Sequence, residues 1–113
     1  MKDGSCVAFF EVPASPPMQK DPNTPEWVQH LALNVETREE LLERKKLLVE
    51  GGFEVIGPTN HGFCESIYFF DPNGHRTELT FHVGDDAMMK KLKTTAPKML
   101  KEWNKSKKVQ KYA

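Results

Sequence analysis

SIYFFDPNGHRTELTF, residues 66–81, reads as two β-strands joined by a tight turn. Asp71-Pro72-Asn73-Gly74 is a strong turn signal, with proline at the second position and glycine at the fourth. The flanking runs alternate. Ile67, Phe69, Leu79 and Phe81 share one face; Ser66, Tyr68, Arg76, Glu78, Thr80 and His82 share the other. The first strand is expected over 66–70 and the second over about 75–83.

Upstream, VQHLALNV (28–35) alternates as a further strand. Leu31, Leu33 and Val35 point one way, and Val28, His30, Ala32 and Asn34 the other. A helix should follow. Thr37 and Glu40 form a T-x-x-E capping box. Leu41, Leu42, Leu48 and Val49 supply an apolar stripe, and Gly51-Gly52 stops the helix. FEVIG (53–57) reads as a strand and PTNHGFCE (58–65) as a loop. The expected order is β-α-β-β-β, an α+β module whose sheet would form half of an open cup.

Outside this module, SCVAFFEV (5–12) alternates as an extra N-terminal strand. Residues 13–26 hold five of the eight prolines and read as an extended connector. Residues 27–84 are the module, and 85–113 a helical basic tail. In the tail Asp85 or Asp86 can cap, with Met88, Met89 and Leu92 on an apolar side. Pro97 should interrupt it and open a second helix with Met99, Leu100 and Trp103 inward. The whole chain of 113 residues is then one small domain.

Hydrophobic content of 38% and charged content of 28% fit a globular chain. No apolar run approaches the roughly 20 residues of a membrane helix. The start, MKDGSCVAFFEVP, is not expected to act as a signal peptide. Two cysteines, Cys6 and Cys64, imply reduced thiols and a cytoplasmic setting. Net charge is zero, yet residues 1–84 carry −6 and residues 85–113 carry +6. The tail lysines lack arginine and interleaved aromatics, so a solvated helix face is expected, with neither nucleic acid nor membrane as partner.

A helix covering the apolar sheet face leaves His30, Tyr68 and Glu78 on the open one. Imidazole and carboxylate together suit Fe(II), Mn(II), Zn(II) or Ni(II). On periodicity alone the pair reads first as surface or structural side chains, with a metal site as the alternative.

The β-α-β-β-β order, HLALNV with its leading His30, and SIYFFDPNGHRTEL resemble a module of the vicinal oxygen chelate superfamily. That group includes glyoxalase I, bleomycin-resistance proteins, methylmalonyl-CoA epimerase and extradiol dioxygenases. The resemblance implies a divalent metal, Fe(II) or Zn(II)/Ni(II), with His30 and Glu78 as ligands. GSCVAFFEVP resembles the last strand of a preceding module, which would make Glu11 a further ligand. Tyr68, ten residues before Glu78, and His61-Gly62 resemble the acid–base residues of extradiol enzymes. Tyr68 and His61 are therefore the candidate catalytic residues. The resemblance implies a glyoxalase-like or extradiol-dioxygenase-like enzyme acting on a small substrate with vicinal oxygens. The alternative is a non-enzymatic small-molecule-binding protein of the bleomycin-resistance type. Either the chain is the C-terminal part of a two-module protein, or it pairs as a homodimer to complete the cup.

Overall fold

The computed structural model describes residues 1–107. The element order is β1 (Leu31–Asn34), α1 (Arg38–Glu50), β2 (Ile56–Asn60), β3 (Cys64–Phe70), β4 (Arg76–His82) and α2 (Asp86–Ser106). The module is thus βαβββ, followed by a C-terminal helix. The four strands form one open sheet in the order β1-β4-β3-β2. β4 lies in the middle, parallel to β1 and antiparallel to β3.

Local chemistry explains the turn and the helix ends. The Asp71 carbonyl accepts from Gly74 N at 2.9 Å. Its carboxylate accepts from Asn73 N and His75 N at 2.9 and 2.8 Å. Gly74 takes φ +85°, a conformation costly for residues with a Cβ. At the start of α1, Thr37 Oγ1 accepts from Glu40 N at 3.1 Å. Glu40 reaches back to the amide of Glu36 rather than that of Thr37. This contact lowers the Glu40 pKa. At its end, Gly52 N donates to Val49 O and Phe53 N to Leu48 O, a paired Schellman closure with Gly52 at φ +85°.

The core is small. Val35, Leu41 and Ile67 are buried, with Leu48, Val55, Leu79 and Phe81 packed against them. Of the expected α1 stripe, Leu41 and Leu48 turn inward, whereas Leu42 and Val49 are exposed. Residues 41 and 48 are two turns apart, so a single helix face covers the single sheet. Lys45 Nζ donates to Gly57 O at 2.5 Å, and Arg38 Nε pairs with Glu65 at 2.7 Å, tying α1 to β2 and β3.

Four expectations are corrected. Residues 5–12 form no strand: alternation needs a neighbouring edge for its backbone hydrogen bonds, and no described strand pairs with them. Phe9 and Phe10 there are 82% and 86% exposed. β1 is shorter than 28–35, because Val28 N turns back to Pro25 O. β2 is displaced toward the C-terminus and contains Pro58. It is an edge strand with a register irregularity between Ile56 and Thr59, where a missing proline N–H is tolerated. Finally, Pro97 lies inside one continuous helix α2. Thr95 Oγ1 donates to the carbonyls of Lys91 and Leu92 just before it.

Asp85 caps α2, accepting from Met88 N at 2.7 Å. The Met/Trp stripe was expected to turn inward, but α2 buries none of its described residues, and Met88, Met89, Leu92, Leu100 and Trp103 are exposed. Among the described residues α1, through Leu41 and Leu48, is the helix that packs on the apolar sheet face. Residues 108–113 of the expected tail lie outside the described residues. No described helix is long and apolar enough to cross a membrane. Cys6 and Cys64 are free thiols.

Candidate functional site

Glu78 organises the open sheet face because it sits on the central strand. It pairs across to Tyr68 on β3 and to Ala32 on β1. Strand parity puts Arg76, Glu78 and Thr80 beside Phe70, Tyr68 and Ser66, as the alternation predicts. His30 immediately precedes β1 and reaches the same place.

The Glu78 carboxylate is nearly enclosed, its side chain 10% exposed. Oε2 lies 2.9 Å from His30 Nε2. Oε1 accepts from Tyr68 OH at 3.3 Å. Tyr68 OH in turn lies 2.7 Å from His61 Nε2. Both imidazoles stand edge-on to the Tyr68 ring at 6.1 Å between centroids. Four of the five sequence candidates, His30, Glu78, Tyr68 and His61, thus form one continuous chain of polar contacts. Glu11 does not join them; it lies on the exposed N-terminal segment. Among the described residues no three His, Cys, Asp or Glu side chains gather as a metal-holding group.

The tautomer of His30 follows from its neighbours. Nδ1 lies 3.1 Å from the Trp27 carbonyl oxygen, which can only accept, so Nδ1 carries a hydrogen. Nε2 faces a carboxylate oxygen, again an acceptor. Both ring nitrogens thus face oxygen acceptors, and the Nε2–Oε2 contact is an ion pair whenever the imidazole carries its second proton.

Burial, with the neighbouring Glu78 charge adding to it, pushes the Tyr68 phenol above its ordinary value of about 10. The fold favours the protonated phenol. That stabilisation is complete below the unfolded value and is lost as pH rises through the folded one. The chain's two tyrosines are Tyr68 and Tyr112. Absorbance titration of the phenolate should show one late step that Tyr68→Phe removes. A Tyr68 step at or below the ordinary range would contradict this environment.

Two features were not anticipated from sequence. One is the Trp27 carbonyl, placed by the turn before β1. The other is Arg76, whose guanidinium carbon lies 4.7 Å above the Tyr68 ring centroid. Its parity with Tyr68 and Glu78 was the available signal. His75 and His82 are exposed.

A sequence model of the Glyoxalase/Bleomycin resistance protein/Dioxygenase superfamily matches residues 1–79. Among solved structures, an integron cassette protein from the mobile metagenome of the Halifax Harbour sewage outfall is 42% identical, with a TM-score of 0.43. The match covers 47% of this chain and 47% of that protein, so it spans about half the length of each.

Proposed function

The chain belongs to the Glyoxalase/Bleomycin resistance protein/Dioxygenase superfamily, and from that premise we propose that it acts as a metal-dependent enzyme on a small molecule with two vicinal oxygens. The observation that carries this reading is the contact between His30 Nε2 and Glu78 Oε2 at 2.9 Å. An imidazole nitrogen and a carboxylate oxygen held side by side are a donor pair that would suit Fe(II), Mn(II), Zn(II) or Ni(II). The hydrogen bond from Nδ1 to Trp27 O leaves Nε2 as the ligating nitrogen, the usual outer-shell arrangement of a metal-bound histidine.

When bound, such a metal supplies Lewis acidity toward the paired substrate oxygens. The chain's own groups supply the rest. Glu78 and His30 hold the cation; Tyr68 presents a protonated phenol; His61 Nε2 is placed to exchange a proton with the Tyr68 oxygen. The Tyr68–His61 contact favours the extradiol-type reading over the isomerase-type one because these two positions resemble the acid–base residues of extradiol enzymes. The open sheet face needs a second sheet to form a cup. We assign that role to a second copy of the chain, bringing another His30–Glu78 pair, with the exposed Phe9 and Phe10 adding apolar surface for the contact.

Metal analysis and light scattering on protein purified without chelator test the reading together. Near-stoichiometric divalent metal in a dimer is expected. Adding Fe(II) or Zn(II) at a hundredfold excess over Kd should stabilise the fold by about 2.7 kcal/mol. For a domain of this size that is a rise in Tm of roughly 10 °C. A monomer without metal, its melting unmoved by either ion, would sink the reading.

A further inference from the structure

α2 sorts its side chains by chemistry around its circumference. At about 100° per residue, Met88, Met99, Leu92, Trp103, Met89 and Leu100 fall within an arc of about 120°. All six lysines of the helix lie outside that arc, with Lys93 and Lys91 nearest to its two borders. The helix carries two acids: Asp86 belongs to its first turn, and Glu102 pairs with Lys98 at 4.0 Å. The apolar arc faces solvent, since Met88, Met89, Leu92, Leu100 and Trp103 are between 40% and 61% exposed. The expected solvated helix without a membrane partner went with an apolar side turned inward, and the exposed stripe removes that condition.

An apolar stripe in water calls for a cover, and the charges around it select among covers. A second copy's α2 would set two lysine-rich helices side by side, which like-charge repulsion opposes. The apolar hollow between residues 6–10 and Leu31, Leu33 and Phe69 receives lysines no better. Among the described residues the one carboxylate lining it is Asp71, already engaged by turn amides, and His75 and Arg76 line it too. The negative charge of the body thus does not gather at that apolar surface. A surface of anionic lipid meets both demands. It accepts the apolar stripe at the acyl boundary, while lysine stems lie along that boundary and their amines stay at the phosphates. α2 is not apolar enough to cross a bilayer, so it would lie along the surface for about 30 Å. We infer that α2 is a peripheral membrane-binding helix that seats the protein on bilayers rich in anionic phospholipid. It uses none of the residues of the His30–Glu78 site, so it is decided independently of the metal reading.

The test uses the full chain. Its two tryptophans are Trp27 and Trp103, so Trp27→Phe leaves Trp103 as the reporter. Vesicles of phosphatidylcholine and phosphatidylglycerol in equal parts should shift the Trp103 emission to the blue, and brominated acyl chains should quench it. Pure phosphatidylcholine vesicles should bind at least about ten-fold more weakly. Glycerol phosphate at the same phosphate concentration should leave the emission unmoved. Combining Lys90→Gln, Lys93→Gln and Lys101→Gln should weaken binding to the anionic vesicles about a hundred-fold. Glutamine retains helix propensity close to that of lysine, so this loss does not come from melting α2, as circular dichroism will show. Leu92→Ser with Leu100→Ser should weaken binding at least about ten-fold, through lost apolar burial in the lipid.

Trp103 emission unmoved by the anionic vesicles would overturn the inference. So would equal binding to pure phosphatidylcholine, or full binding by the triple lysine variant. Light scattering without lipid covers the remaining case. If Leu92→Ser with Leu100→Ser lowers the mass of the protein and the vesicles do not bind, the stripe is an interface between copies and the inference is wrong.

Discussion

His30→Ala and Glu78→Ala should each abolish stoichiometric divalent metal uptake while leaving the sheet folded. Each change removes one of the two proposed ligand atoms, which stand 2.9 Å apart. Loss of an outer-shell partner costs about 10–100-fold in metal affinity, so loss of a ligand atom should exceed about 100-fold. Glu78→Gln is the sharper variant. It keeps the shape and the hydrogen-bonding length of the side chain but removes the charge from a site of 10% exposure. His30 is only partly covered, so it can be hydrated once its partner is neutral or gone. Circular dichroism should therefore stay close to that of the unaltered protein. Titration with Zn(II) or Fe(II) followed by calorimetry reads the affinity. Uptake unchanged in either variant would remove the pair from the metal site and the metal from the proposed function.

Ile67→Ala should unfold the domain at room temperature or nearly so, and Leu41→Ala should do the same. Both side chains are fully buried, and they face each other across the one sheet–helix contact. Truncating a buried leucine or isoleucine to alanine costs about 2–5 kcal/mol. A domain typically holds about 5–15 kcal/mol in total. Here so few residues are buried that the starting value belongs at the low end. Ile67 also sits mid-strand on β3 opposite Leu79, so the cavity would open beside the strand that carries Glu78. Urea denaturation measures the loss directly. Val49→Ser is the comparison: at 53% exposure on the outer side of α1 it should shift stability by no more than about 0.5 kcal/mol. An Ile67→Ala protein as stable as the Val49→Ser protein would show that the helix–sheet contact is not where the stability lies.

Legibility differed from residue to residue for physical reasons. Asp71, Gly74, Thr37 and Gly52 act through hydrogen bonds with backbone groups a few positions away, so their roles are visible in a short window of chain. Side-chain parity is equally local, which is why Tyr68 and Glu78 could be placed on one face beforehand. Residues 5–12 alternate just as well, yet they have no edge to pair with, and a strand without a neighbour keeps no ladder. Pro97 looks like a helix breaker locally, but α2 continues through it. His61 was the hardest to read. Its contact with Tyr68 depends on the path of the loop between β2 and β3, which no periodicity encodes.

The amino-acid sequence by itself determined the β-α-β-β-β order of the module, the turn, the helix caps and the face on which each strand residue stands. These follow from backbone sterics and hydrogen bonds within a few residues. Only the tertiary structure decided that β4 lies between β1 and β3, and hence that Glu78 meets both His30 and Tyr68. It alone decided that His61 closes on Tyr68, that Glu11 stays apart, and that Arg76 is left with a buried N–H and no anion. Those outcomes depend on which distant strands pair and in what register, and pairing is settled by the burial of Leu41 and Ile67 between sheet and helix rather than by any local pattern.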